Sequence, residues 1–338
     1  MKNIGVFKDF NDGTIKSVFE GENKEIIEIS LLFNKEDKDV VCAPTHHFCN
    51  LGCKMCHLTN KGLNKAMIAI KSEDFISCLI RSVCFQNISE GTEIYKFRRT
   101  SKKKLLISFM GVGEPLLNQK LILDIYRSVA YIKEILGYED ISFAIATMVP
   151  NINLLKNFTN MVLENNIPLK IHFSLHTPVD EKRFDLLPST RASVNEVLDV
   201  LDGYRIVCED NEEIMKNYLK FHRNNNPSEI HYTLINGVND SKEELDIIIS
   251  LLKKYFIPIK FIKFNPISNM KSSENEILWY ATLINEFGEN RIKRYAPPGK
   301  QVGSSCGEFT KHYYHNEIET KVQLEEFIKW EKEHKIFE

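Results

Sequence analysis

The chain has 338 residues, 43% of them hydrophobic and 27% charged, with a formal net charge of -2. That length supplies one large α/β core with smaller attachments, not two large domains. The near-neutral balance excludes a global positive field, so any polyanion must be held by a local patch. The opening MKNIGVFKDFNDG lacks the apolar centre of a secretory leader, and no apolar run approaches the roughly 20 residues that cross a bilayer; both predict a cytoplasmic protein.

Residues 1–39 read as a small β-rich extension that opens with a hairpin around Asn11-Asp12-Gly13. From residue 40, short β-branched or aromatic runs alternate with longer amphipathic stretches. Strands are predicted at 40–45, 105–110, 143–147, 170–176, 230–235 and 259–265. Helices are predicted at 72–85, 119–135, 152–165, 191–201, 211–224, 241–254 and 274–287. The strands lack the polar alternation of a sheet wetted on one face, and their connections are long enough for helices; residues 40–290 are therefore expected to form a parallel β/α core of about six units. Residues 291–338 are expected to form a C-terminal extension: a short addition around Pro297-Pro298-Gly299, then a charged amphipathic helix beyond about 315.

In parallel α/β folds, ligands sit at the carboxyl ends of the strands. Cys49 to Cys56 follow the first core strand, Gly111-Val112-Gly113-Glu114-Pro115 follows the second, His176 ends the fourth and Asn265-Pro266 closes the sixth. The basic run KFRRTSKKK at 96–104 precedes the second strand, so it belongs at the opposite ends and reads as a solvated loop.

The eight cysteines are too scattered for a disulfide scaffold, yet Cys49, Cys53 and Cys56 form C-x3-C-x2-C. Three thiolates so spaced suit three irons of a cubane and leave the fourth iron open to a bound molecule. Soft sulfur ligands also suit zinc, with His46, His47 or His57 as fourth ligand. A zinc site leaves the Gly-rich loop after the next strand unexplained.

This motif at the end of the first core strand resembles the radical S-adenosylmethionine (SAM) superfamily. The resemblance implies a partial (β/α)6 barrel and a 4Fe-4S cluster on Cys49, Cys53 and Cys56. The amine and carboxylate of SAM bind the open iron, and one electron cleaves SAM to methionine and a 5'-deoxyadenosyl radical. GVGEP resembles the loop that contacts the methionyl amine, and Met55 occupies a position that packs by the adenine of SAM.

Further strings narrow the match: GVGEPLLN (111–118), FSLHTP (173–178), LPSTR (187–191), NGVNDS (236–241), KFNP (263–266), KSSENEI (271–277) and SSCGEF (304–309). In this order they resemble the RlmN/Cfr-like family, radical SAM methyltransferases of RNA adenine C2 and C8. The resemblance implies that Cys306 is methylated from one SAM. A second SAM supplies the radical that takes hydrogen from the S-methyl group, and the methylene radical adds to adenine. Cys42 then resolves the adduct by forming a disulfide. Glu28 corresponds to a glutamate near the substrate base; as a lone strand carboxylate it reads equally well as a surface residue. Gly113, Glu114, Ser174, His176 and Asn265 correspond to residues lining the SAM site. The implied partners are an RNA substrate, tRNA or rRNA, and an external one-electron reductant such as flavodoxin or ferredoxin.

Departures bear on the substrate. The family's separate helical RNA-binding domain has no counterpart in the residues before Cys42. ATMVP (146–150) replaces a hydroxyl-rich loop, and Lys263 replaces a proline. Pro298 and Gly303 stand where the family has arginine and aspartate. The alternative expectation is related methyl-cysteine chemistry on a small molecule, nucleoside or peptide. Cys78, Cys84 and Cys208 are expected in the core or on helices, and Trp279 and Trp330 as packing anchors.

Overall fold

The computed structural model describes residues 1–33, 35–60, 62, 65–84, 102–222, 225–267, 269–303 and 335–337. The chain divides into two compact units, one of residues 1–50, 61–143 and 298–338, the other of 51–60 and 144–297. In chain order the elements are β1 (Lys2–Lys8), β2 (Ile15–Glu20), β3 (Ile26–Leu32), β4 (Asp39–Ala43), α1 (His57–Asn60), α2 (Ser72–Cys84) and β5 (Lys104–Phe109). Then come α3 (Gln119–Arg127), α4 (Val129–Leu136), β6 (Asp140–Thr147), α5 (Ile152–Glu164), β7 (Leu169–Ser174), α6 (Asp180–Leu186), α7 (Val194–Glu209) and α8 (Glu212–Leu219). The last are β8 (Ser228–Tyr232), α9 (Lys242–Lys254), β9 (Ile259–Ile262), α10 (Glu276–Phe287), β10 (Ile292–Tyr295) and β11 (Lys335–Phe337).

In the first unit β11, β1, β2, β3 and β4 pair antiparallel in that order, and β4 pairs parallel with β5. The β1–β2 turn is built as its sequence predicts. Asp9 and Asp12 side chains accept from Asn11 N and Thr14 N, and Gly13 takes φ 76°. Register places Lys16 opposite Ser30, Ser30 opposite Cys42, and Cys42 opposite Ser108. With a side-chain period of two, these four and Glu28 share one face. The other face carries Phe19, Ile27, Ile29, Val41, Ile107 and Phe109, all buried. Helix α2 packs there: the Phe75 and Phe109 rings lie 5.5 Å apart, and Arg81 lies over Phe19.

The second unit holds β7, β8, β9 and β10, all parallel. Ile171, Phe173, Ile230, Tyr232, Ile259 and Phe261 make its apolar face. Tyr204 of α7 donates to the Leu169 carbonyl, and the Trp279 ring of α10 lies 5.6 Å from Tyr232, so helices cover this side and Trp279 is the expected anchor. Capping boxes, Ser193 with Glu196 and Ser241 with Glu244, start α7 and α9.

The α/β reading holds, with local corrections. The predicted helix 119–135 is two helices, because Ser128 turns its hydroxyl back onto the Asp124 carbonyl and competes with the backbone ladder. The predicted strands 170–176 and 259–265 stop at Ser174 and Ile262. Ile292–Tyr295 extends the parallel run beyond the six expected strands. Most of the predicted tail helix, and Trp330, lie outside the described residues; Lys335–Phe337 is a strand on β1, not helix. Cys78 and Cys208 are buried as expected, whereas the side chain of Cys84 lies outside the description. Among the described residues no helix is long and apolar enough to cross a membrane.

Arg183, fully buried at the start of the segment leading to LPSTR, ties the loops of the second unit together. Its guanidinium donates to the carbonyls of Met148, Ser174, Leu175 and Ala192 and to the Thr190 hydroxyl. Arg183→Met keeps the bulk but strips the donors from these buried acceptors, so unfolding stability should fall by about 3–5 kcal/mol in urea melts.

Candidate active site

The loops after β4 and β5 are stitched by backbone. Thr45 N and His46 N both donate to the Val112 carbonyl, and Gly111 N donates to Ala43 O. Glycine is required at two points. A Cβ on Gly111 would lie 2.8 Å from Ala43 C and Pro44 N, and one on Gly113, at φ 104°, would lie 2.5 Å from His46 Nδ1. Asn118 closes the motif by donating to the Thr45 and Ile70 carbonyls. Buried Glu114 caps the short helix 115–117, accepting from Leu116 N.

Cys49, Cys53 and Cys56 sit on the stretch that follows β4, half-buried. Gly52, at φ 71°, lets the chain turn before Cys53, and Cys56 N donates to Cys53 O. Leu51 and Lys54 are pinned through Ser189 and Leu186, which accounts for part of LPSTR. The Cys53 thiol points at Met148 Sδ, 3.7 Å away, so the methionine of ATMVP faces a cysteine of the C-x3-C-x2-C motif. The histidines that a zinc site would recruit are engaged. His46 Nδ1 meets Thr45 Oγ1, His47 Nδ1 meets the Ile26 carbonyl, and His57 Nε2 meets Asn265 Nδ2 at 3.2 Å. Each histidine is engaged through one ring nitrogen, and the three sulfur donors fit an iron-sulfur cluster.

The first unit also brings Cys42 and Glu28 together. Glu28 is not on the surface; it is 7% exposed and paired with Lys16, 2% exposed, at 2.5 Å. Lys16 also donates to the Gly303 carbonyl at 2.8 Å. Gly303 takes the left-handed conformation at φ 56°, and its segment is further held by Asp12 accepting from Gly299 N. Sequence reasoning missed Lys16; its one signal was its in-phase position with Val18 in a strand buried on both sides. Burial pushes the Cys42 thiol up to about 11; Glu28 adds to this, while Lys16 and the Met110 backbone oppose it. Cys306 lies outside the described residues.

Ser174 and His176 close β7 in the second unit. His176 is left-handed at φ 56°, its Nδ1 accepts from Thr233 N, and its carbonyl accepts from Asn239. Asn239, fully buried, also bonds Thr233 O and Ile235 N, so it is the working residue of NGVNDS. Burial lowers His176 to about 3, with His231 and Arg183 contributing, so it is a neutral acceptor.

Two measurements follow. Cys42 is a neutral thiol at pH 7, so iodoacetamide should label it far more slowly than an ordinary thiol, with the rate rising toward pH 11. Buried His46, lowered to about 4, and His176 bind no proton where unfolded histidine does, below 6.5. Their contribution is present above 6.5 and lost as pH falls, so each should cost up to about 1.4 kcal/mol per pH unit between 6.5 and its folded value in urea melts.

No protein-family profile matches the chain. It is 25% identical over 304 residues to the dual-specificity RNA methyltransferase RlmN of Buchnera aphidicola subsp. Schizaphis graminum, covering 88% of this chain and 74% of that protein. It is likewise 25% identical over 316 residues to a probable RlmN of Clostridium novyi, covering 90% and 78%. A crystal structure of a radical SAM methyltransferase from Sphaerobacter thermophilus superposes with TM-score 0.69 at 18% identity, covering 91% of this chain and 80% of that one. The chain therefore has the fold of that enzyme and is similar to RlmN along most of its length.

Proposed function

We propose that the chain is a radical SAM methyltransferase that modifies RNA, and that it methylates an adenine carbon, C2 or C8, through methyl-Cys306. The observation that carries this reading is Lys16, which touches both Glu28 beside Cys42 and the backbone entering the Cys306 segment. Lys16 thus ties Glu28, on the sheet face that carries Cys42, to Gly303, which precedes Cys306 in the chain.

Cys49, Cys53 and Cys56 would hold the cluster, with the Gly113–Glu114 loop, Ser174, His176 and Asn265 around bound SAM. Cluster and SAM together supply one-electron chemistry that makes a carbon radical from a sulfonium. Cys306 carries the methyl group on sulfur. Cys42 stays protonated until needed, which keeps it from competing with Cys306 as the methyl acceptor. When the Cys42 sulfur bonds to that of Cys306, the bond from the Cys306 sulfur to the methylene carbon breaks and its electron pair leaves with that carbon. The proton given up by Cys42 completes the methyl group, with Glu28 on the same sheet face to relay it. His176, neutral, spends its Nδ1 lone pair on Thr233 N and so presents Nε2–H as an uncharged donor. An external one-electron reductant such as flavodoxin or ferredoxin would supply the electron.

The test is mass spectrometry of the Cys306 peptide after anaerobic cluster reconstitution and incubation with methyl-labelled SAM. The expected result is one labelled methyl on Cys306, none in Cys306→Ala, and label in RNA adenosine after nuclease digestion. SAM cleavage with Cys306 unmodified would sink the methyl-cysteine reading; methyl-Cys306 with no label in RNA would move the substrate elsewhere.

A further inference from the structure

The face of the second unit's sheet opposite its apolar face carries a charged cluster that methyl transfer does not use. Glu229 on β8, 0% exposed, lies at its centre. Lys170 of β7 and Lys293 of β10 approach its Oε2 at 3.1 and 3.2 Å, and Lys260 of β9 approaches Oε1. His172 Nδ1 and His231 Nε2 lie 3.2 and 3.5 Å from Oε1, their rings 4.2 Å apart.

The two histidines and Glu229 have ligand atoms within 4.8 Å of one another, a spacing a divalent cation would accept. Three ammonium groups crowd the same carboxylate and repel one. Both imidazoles are held neutral by burial. Three lysines against one carboxylate therefore leave an excess of two positive charges, which is costly in a site this buried. The cations are not equally enclosed: the side chain of Lys170 is 5% exposed, those of Lys260 and Lys293 22% and 32%. Each ammonium has three donors and spends one on Glu229. Spare donors and surplus charge thus open on the Lys260–Lys293 side.

We propose that this cluster binds a phosphoryl dianion, with Lys260 and Lys293 in contact and Lys170 behind them. Two charges match the surplus, which a carboxylate would only half neutralise. The drop of Lys170 to about 8, caused first by burial and reinforced by Lys260 and Lys293, fits a cation lacking enough counter-charge. His172 and Ser174 are successive same-face positions on β7, about 7 Å apart along the strand. The anion would lie within reach of a molecule at the carboxyl ends of the strands.

The experiment is isothermal titration of the full-length, anaerobically reconstituted chain with inorganic phosphate, adenosine 5'-monophosphate and adenosine at constant ionic strength. Saturable phosphate binding is expected, weakened at least about tenfold in Lys260→Gln/Lys293→Gln. Proton uptake near pH 8 should accompany it. Nucleotide binding tighter than phosphate, with adenosine silent, would assign the phosphoryl group to a nucleotide ligand; phosphate alone would assign a free anion. Absence of saturable binding by either anion, or unchanged affinity in the double variant, overturns the proposal. Should the double variant lose its circular dichroism signature, Lys293→Gln alone, at the most exposed lysine, decides by whether its affinity falls. Because the readout is binding, it stands apart from whether Cys306 is methylated.

Discussion

Charge buried on the second face of a sheet is the constraint on which the rest of this molecule depends. Each unit turns one strand face to apolar packing, and the alternation of side chains then forces the polar half of every strand onto the opposite face. That face is not wet. Lys16, Glu28, Ser30 and Ser108 in the first unit, and Lys170, His172 and Glu229 in the second, are all nearly inaccessible. Charges in such a place must be paired, and the pairing couples strands that are far apart in sequence.

Buried hydrogen bonds organise the loops. Arg183, entirely buried, reaches the ends of β6 and β7 and the LPSTR segment at once; no apolar side chain could fix three irregular backbones by direct bonds. Asn239 repeats the device between the turns after β7 and β8. The cost of leaving their backbone groups without partners keeps these loops in one conformation, as a site that must hold a reactive species requires. Val149 shows the strain that this bracing tolerates. It is β-branched yet sits at φ 54°, where its carbonyl accepts from Thr190 and its amide donates to the Thr147 hydroxyl.

Reactivity in the first unit follows from placement more than from residue type. Cys42, in the third strand of a row that also holds the Lys16–Glu28 ion pair, is desolvated, so its thiol keeps its proton. Lys16 extends this arrangement to the Gly303 carbonyl. Gly303 meets the lysine through a left-handed backbone that turns its carbonyl toward it.

The sequence by itself determined the β/α rhythm, the cysteine motif and the glycine loop, because these rest on local periodicity and on backbone needs that only certain residues meet. It also put Cys42 and Glu28 in strands. Register decided that Glu28 is an interior group: its partner Lys16 lies 12 positions away, and the second contact of Lys16 lies 287 positions away. Polar residues inside KIHFSLH and IHYTLI read from sequence as ordinary strand members, and nothing local reveals that His172, Glu229 and His231 meet. β10 was illegible for a similar reason, since a strand of four residues has too little pattern to signal itself and is defined by its pairing with β9. Periodicity tells each strand that it has two faces; only the tertiary structure decides what each face must neutralise.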